Sequence, residues 1–428
     1  MMFEKRGIES FLNPRSIVVI GASNKPGKVG YALARNLLSF KGKVFFVNKE
    51  SESIFGISSF SSVSEIKERI ELAIIAIPAS AVPLVLDECG KKGIKSIIII
   101  SAGFGESGNK ELEEEITVIK KKHNLRILGP NCFGVVNTDL FLDATFAKTH
   151  PSKGAIAFIS QSGALWSGLA DLSQSSFVGF SKVITLGDRM DVDFAECIEH
   201  LEKDAHTNVM LLYLESLIDG KEFMRVVKKC KKPIIILKAG KTDAGMKAAL
   251  SHTGSLAGSF EVYKAAFKQC GAMSVDTLTE GIDLAHFLSI QSKPRGKRVL
   301  VVTNAGGPGI LAADALVERG LEVPLVSRRL RWNNPIDVLG DADADRYKVV
   351  FNKLSKESFF DSTLVMFTPQ MMANAENVAK EIVLFFKKSK RPLVACFLGA
   401  KTIEGAKRIL EENNIPCFDD INRAVKVL

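Results

Sequence analysis

The segment "ALSHTGSLAGSFEVY", residues 249–263, sets His252, one of only six histidines, among small polar residues and two glycines. Such a stretch gives an imidazole little apolar surface to pack against, and its glycines leave the backbone free to move. A neutral imidazole is a good nucleophile near pH 7. A phosphorylated ring is high in energy unless its other nitrogen is held by an acceptor and its phosphate by N–H donors. The expected acceptor is Glu215, which ends the apolar run "NVMLLYLE" and would project from the carboxyl edge of a strand. In that arrangement Glu215 takes the Nδ1 hydrogen, Nε2 attacks phosphorus, and Gly254 and Ser255 help hold the anion. Taken alone, a lone histidine is more simply a packed or surface residue, and Glu215 a helix-start or surface acid; the pair is what carries the chemical reading.

Anion-holding turns recur elsewhere. In "FISQSGAL", Ser160, Gln161, Ser162 and Gly163 would open a helix and offer hydroxyls and N–H groups to phosphate at its positive end. A plain N-cap would need only one of them. Serine at 160 replaces the first glycine of a G-x-S-x-G elbow, which disfavours a serine hydrolase. "GASNKPGKVG" follows an apolar run directly and supplies Gly21, Gly27 and Gly30. Ser23 stands where a dinucleotide fingerprint needs its second glycine, which weakens a dehydrogenase reading, and Val29 stands where a Walker A loop needs Ser or Thr. "IIILKAGKT" likewise has Ile235 in place of the leading glycine. The remaining strand-end residues, Pro78, Ser101 to Gly103 and Asn131, are placed to line the same crevice as the first turn, one long enough for a nucleotide with a tail.

These turns need elements to hold them. Apolar runs of strand length pass three times through glycine-bearing turns into helical patterns, at "SIVVIGASNKPGKVGYALARNL", "GAIAFISQSGALWSGLADL" and "KRVLVVTNAGGPGILAADAL". Similar runs alternate with amphipathic helices along the whole chain, so the fold class is α/β with parallel sheets covered on both faces and ligands at the strands' carboxyl ends. At 428 residues, 46% hydrophobic and 25% charged, the chain has material for several cores. Punctuation at "THPSKGA" and "IQSKPRGKR" predicts domains at 1–150, 151–292 and 293–428.

Composition also excludes. No apolar run approaches the roughly 20 residues needed to span a bilayer, and "MMFEKRGIES" lacks the apolar core of a signal peptide, so a cytoplasmic protein without membrane partners is expected. Seven cysteines without a C-x-x-C pair argue against a disulfide framework and a structural zinc site, and no metal is expected on the chain. The net charge of +9 is spread among acidic residues at helical spacing, which speaks for solvated faces rather than nucleic acid.

Together, "GASNKPGKVGYALARNL", "ILGPNCFGVVN", "ISQSGAL", "YLESLIDG", "LKAGKTDAGMKAALSHTGSLAGS" and "NPIDVLGDADADRY" resemble the α subunit of the ADP-forming acyl-CoA synthetases, relatives of succinyl-CoA synthetase. The resemblance covers nearly the whole chain in order. It implies a CoA-binding Rossmann-like domain followed by two flavodoxin-like domains. It implies a ligase that interconverts acyl-CoA, ADP and phosphate with a small carboxylic acid, ATP and CoA through an acyl phosphate and phosphorylated His252. ADP, ATP and magnesium would sit on a separate ATP-grasp β subunit, in an α2β2 heterotetramer. His252 matches the phosphorylated histidine, Glu215 its orienting glutamate, and Ser160 to Gly163 the phosphate-holding helix end. Gly21, Ala22, Ser23, Val29 and Gly30 match the CoA turn, and Ser101, Ala102, Gly103 and Asn131 match strand ends near the thiol. Two departures stand out. "VNKES" keeps Asn48 but brings Lys49 one position early for a CoA phosphate contact, and "RRLRWN" is shorter than the family's helical segment. The competing reading is a non-catalytic CoA sensor or scaffold, against which the presence of both His252 and Glu215 speaks. Ala164, Leu165 and Trp166 follow the anion turn, and their direction toward substrate or core is not legible.

Overall fold

The computed structural model describes residues 7–253, 259–326 and 332–428, apart from the side chains of 250–253. It forms two compact units, Met1–Gly281 and Ile282–Leu428.

The first unit holds two sheets. Strands β1 (Ser16–Ile20), β2 (Lys43–Val47), β3 (Ser53–Ile54), β4 (Ile57–Phe60), β5 (Leu72–Ile75), β6 (Ser96–Ile99) and β7 (Arg126–Leu128) lie in the order β3-β4-β2-β1-β5-β6-β7. All neighbours are parallel except β3 with β4. The runs are continuously apolar because both faces are covered. Ile17 and Val19 join a cluster with Leu33 of the helix Val29–Asn36, while Val18 and Ile20 join one with Leu86 and Ile116 on the opposite face. The period of two thus divides one strand between two cores.

The second sheet contains β8 (Gly134–Asn137), β9 (Leu142–Thr145), β10 (Lys153–Ser160), β11 (Phe180–Thr185), β12 (Val209–Leu214), β13 (Ile234–Lys238) and β14 (Met273–Val275). Its order is β14-β13-β12-β10-β11-β8-β9. β8 runs antiparallel to β11, with Val136 opposite Val183, and β9 runs antiparallel to β8, so this sheet is mixed where parallel strands are expected. It also differs at the predicted edge near 150: residues 134–145 precede that edge and pair with the second sheet. The apolar cluster of Ile17 and Val19 continues into Ala157, Ile159, Met210 and Leu212, which fuses the two sheets into one unit.

The second unit has β15 (Val299–Thr303), β16 (Ile336–Asp337), β17 (Ser362–Phe367), β18 (Leu393–Phe397) and β19 (Cys417–Phe418) in the parallel order β16-β15-β17-β18-β19. It begins at Ile282, inside the helix Leu278–Ile290 and ahead of the expected linker. Within it, the Arg423 guanidinium holds Asp283 through two hydrogen bonds of 2.8 Å, and Gln291 bridges Leu393 and Asn414, which ties that helix to the unit's strands. Most of the short "RRLRWN" segment, its residues 328–331, lies outside the described residues. All seven cysteines are free thiols, with Cys132 and Cys396 buried. Among the described residues no helix is long and apolar enough to cross a membrane.

Candidate active site

Both sheets of the first unit contribute to one cavity of about 1450 Å³ at their carboxyl ends. Its first wall begins where β1 delivers Gly21 at φ +90°. A Cβ on Gly21 would lie 2.3 Å from the Ala76 carbonyl oxygen, and one on Gly30 would lie 1.8 Å from the carbonyl oxygen of Gly21 itself. The helix Val29–Asn36 therefore starts in backbone contact with the end of β1, which only glycine at position 30 allows, while Gly21 lets that end approach the backbone of Ala76 past β5. Asn48, past the end of β2, donates Nδ2–H to the Ala22 carbonyl at 2.6 Å and accepts the Glu50 N–H at 2.7 Å. Gly21, Ser23, Val29, Gly30, Asn48 and Lys49 line the cavity; Ala22 is buried behind them.

The neighbouring strand ends continue this wall with Pro78 after β5, Ser101 and Ala102 after β6, and Asn131 after β7. Ser101 donates its hydroxyl to the Ile77 carbonyl at 2.5 Å, and its own carbonyl accepts the Asn131 N–H at 3.0 Å. Gly103 stands apart from the lining, and its N–H donates to the Glu106 carboxylate.

The second wall comes from the turn after β10. Ser160 is buried outside the lining: its Oγ donates to the Ser162 carbonyl at 2.7 Å and accepts the Ser162 N–H at 3.1 Å. Gln161 does line the cavity, but its Oε1 is committed to the N–H groups of Glu215 and Ser216, at 2.6 and 3.0 Å. The helix Gly163–Ser175 then opens with Ser162, Gly163 and Ala164 on the cavity, where first-turn N–H groups and the helix dipole favour an anion. Trp166 belongs to the core, fully buried between Phe158 and Phe180.

Glu215 follows β12, is 6% exposed and lines the cavity. Its backbone is clamped from several sides. The Lys238 ammonium donates to its carbonyl at 2.8 Å, and the Arg189 guanidinium donates to the carbonyl and hydroxyl of Ser216 at 2.9 and 2.8 Å. Burial pulls the Lys238 pKa down while the Glu215 carboxylate opposes that shift. β13 pairs with β12 through Leu214 and Lys238, so the helix Asp243–Thr253 departs from the strand beside the one that leads into Glu215. The backbone of His252 belongs to the last turn of that helix; its side chain, with Gly254 and Ser255, lies outside the described residues.

Several lining residues escape the sequence reading. Lys25 and Lys28 are exposed at the first turn beside Lys49, and the signal for them was present in "NKPGK". Ser61, Ser62, Leu84, Val85 and Asp188 also line the cavity, on segments without a motif. The volume exceeds the roughly 300–1,000 Å³ usual for small-ligand pockets. Three lysines, two close-packed glycines and apolar lining residues such as Leu84 and Val85 suit an anionic nucleotide with a long tail, so the residues fit coenzyme A. Among the described residues, no group of three or more His, Cys, Asp or Glu is placed to hold a metal ion.

Comparison with known proteins bears on the same regions. Residues 15–138 match the model of a CoA binding domain, and residues 153–288 that of the succinyl-CoA ligase like flavodoxin domain. An acetate–CoA ligase [ADP-forming] of Methanocaldococcus jannaschii is 42% identical over 97% of this chain, which spans 61% of that protein. The acetate–CoA ligase [ADP-forming] I subunit alpha of Pyrococcus furiosus is 39% identical over 98% of this chain and 96% of its own length. Among solved structures, the dinucleotide forming acetyl-coenzyme A synthetase 1 of Ca. Korarchaeum cryptofilum, in complex with phosphate and ADP, superposes with a TM-score of 0.92 at 33% identity, covering 98% of this chain and 95% of that one. Fold and cavity together define a CoA-binding protein of the succinyl-CoA ligase type. The chain belongs to the family of ADP-forming acetate–CoA ligases.

Proposed function

We propose that this chain is the α subunit of an ADP-forming acyl-CoA synthetase. It converts acyl-CoA, phosphate and ADP into a carboxylic acid, CoA and ATP, and the reverse. The observation that carries the reading is the single cavity in which a glycine turn suited to CoA phosphates meets the Ser162–Gly163 helix end and Glu215. Gly21, Ser23, Val29, Gly30 and Lys49 hold the nucleotide end of CoA, while Asn48 braces that turn through Ala22. Pro78, Ser101, Ala102 and Asn131 guide its tail toward the second wall. The N–H groups at Gly163 and Ala164 hold phosphate, whose oxygen attacks the thioester carbonyl; the C–S bond breaks and an acyl phosphate forms. Nε2 of His252 then attacks phosphorus, the P–O bond to the acyl group breaks, and the carboxylate leaves. Glu215 holds the Nδ1 hydrogen, and Gly254 and Ser255 hold the phosphorylated ring.

Ser160 and Gln161 act at one remove in this scheme: they shape the turn and the Glu215 backbone rather than touch phosphate. ADP and magnesium bind an ATP-grasp β subunit in an α2β2 assembly. The relative from Pyrococcus furiosus named as a subunit alpha supports a separate partner. Seven free thiols suit a reducing cytoplasm.

The test is incubation of the purified chain with acetyl-CoA and labelled phosphate. Acid-labile, base-stable label is expected on the protein and is expected to vanish in His252→Asn while CoA binding persists. Loss of a covalent nucleophile removes roughly four to six decades of rate. A wild-type chain that binds CoA but takes no label from any acyl-CoA would point to a sensor instead.

A further inference from the structure

Asp188, in the loop after β11, lines the cavity and belongs to neither anion-binding turn. Its Oδ1 accepts the Asn131 Nδ2–H at 3.2 Å, and the Glu106 carboxyl is its neighbouring acid. Glu106 in turn accepts the N–H groups of Gly103 and Phe104. Two adjacent carboxyl groups repel when both are ionised, so the pair holds on to one proton to a higher pH than either carboxyl would alone. Glu113, on the helix Lys110–His123, adds a further negative charge toward Asp188, and the buried Cys132 thiol beside Asn131 is pushed up to about 12, chiefly by burial. Enclosure in the wall and the Glu106 charge hold the Asp188 pKa at about 7. Its side chain is exposed where it faces the cavity, which weakens both effects.

The loop touches both walls. A Cβ on Gly187 would lie 2.6 Å from the Asn131 carbonyl oxygen, Leu186 donates its N–H to the Ser160 carbonyl at 2.8 Å, and Phe133 donates its N–H to the Thr185 hydroxyl at 2.8 Å. In the function proposed above the thioester lies where the CoA wall meets the Ser162–Gly163 helix end, and this loop is bonded to both through Asn131 and Ser160.

We propose that the Asp188–Glu106 pair is the acid–base group of the sulfur: Asp188 protonates the departing CoA thiolate and, in the reverse direction, removes the proton from the thiol. This rests on the function proposed above. The step balances. Hydrogen phosphate forms the new O–C bond, the C–S electron pair moves to sulfur, the Asp188 proton follows it, and the proton lost by the phosphate oxygen restores the pair. No other acid is consumed.

Two phosphoryl donors separate this step from the rest. The full chain is phosphorylated either from acetyl-CoA with labelled phosphate, which breaks a C–S bond, or from labelled acetyl phosphate, which does not. Asp188→Asn is expected to slow labelling from acetyl-CoA on the order of 100-fold or more, to leave labelling from acetyl phosphate within about twofold, and to keep CoA affinity. In the wild type the acetyl-CoA rate should fall as pH rises through about 7, a limb absent from the acetyl phosphate reaction. Glu106→Gln removes the neighbouring charge and should move that limb to lower pH, which tests the pair even if Asp188→Asn folds poorly. Equal rates for Asp188→Asn and wild type with acetyl-CoA, equal losses with both donors, or an unmoved limb in Glu106→Gln would overturn the inference. A wild-type chain labelled by neither donor would overturn the proposed function itself, and this inference with it.

Discussion

The two walls of the cavity solve one problem in opposite ways. Each must bring a helix N-terminus to the end of a buried strand, close enough for backbone N–H groups to face a phosphate. After β1 the chain does so by omitting side chains: Gly21 and Gly30 leave room for two backbone segments to touch. After β10 it does so mainly by committing side chains: the Ser160 hydroxyl ties the turn to itself, and the Gln161 carbonyl oxygen gathers the N–H groups of Glu215 and Ser216. Gly163, whose Cβ would lie 2.6 Å from that of Phe133, is the second wall's one use of the first device. The first wall should therefore fail when an atom is added, and the second when an acceptor is removed.

The largest effect is expected from adding one carbon to the first wall. Gly30→Ala would place a methyl 1.8 Å from a carbonyl oxygen of the adjoining backbone, which neither segment can yield without moving β1 or its helix. A loss of about 3 kcal/mol or more, with CoA binding abolished, should be read by thermal unfolding and calorimetric titration. A variant with wild-type stability and affinity would show that the turn is not braced by close approach.

Removing an acceptor should act more locally. Gln161→Met keeps side-chain volume but leaves two N–H groups without their partner. Each buried unpaired donor costs about 1–3 kcal/mol, reduced here where cavity water can reach it, so about 2 kcal/mol of stability in total is expected. CoA affinity should hold while phosphohistidine yield falls, because the Glu215 backbone loses one of its clamps. Unchanged labelling would indicate that Lys238 and Arg189 suffice to place Glu215. Ser160→Ala should cost less, about 1 kcal/mol, since its two hydrogen bonds lie within a single turn and a small shift can replace one of them; a measured loss above that of Gln161→Met would reverse the ranking within this wall.

The contrast between walls also explains what could be read from the sequence. Omitted side chains leave a visible mark, since glycines after an apolar run announce a turn, and strands buried on both faces announce themselves as uninterrupted apolar runs. β1, β5, β6, β10 and β12 were legible for that reason. Committed side chains leave little mark. "SQSG" suggested four anion ligands, whereas the fold places Ser160 behind the wall and engages the Gln161 oxygen with a segment 54 residues away. Gly103 was placed on the lining for a similar reason: a strand end is legible, but which of its residues faces the cavity depends on neighbours such as Glu106. The strands at 134–145 were assigned to the first domain because they precede the Pro-Gly punctuation, yet the pairing of Val136 with Val183 depends on a partner that nothing in "GVVN" specifies. Asp188 carried no motif at all.

The smallest effect sharpens the comparison from inside the first wall. Gly27 belongs to the same glycine-rich turn and has φ +84°, but a Cβ there would meet nothing within 4 Å, and the residue is not part of the lining. Only the left-handed backbone resists a side chain, a strain of about 1 kcal/mol for alanine. Gly27→Ala should therefore lower thermal stability slightly and leave CoA affinity within about twofold. The gap between this variant and Gly30→Ala separates close approach from backbone strain, because Gly27 has the left-handed backbone and open space, whereas Gly30 is helical and a methyl there would strike a carbonyl oxygen. If Gly30→Ala lost no more stability than Gly27→Ala, close approach would not constrain the first wall, and the claim that it works by omitted side chains would fail with it.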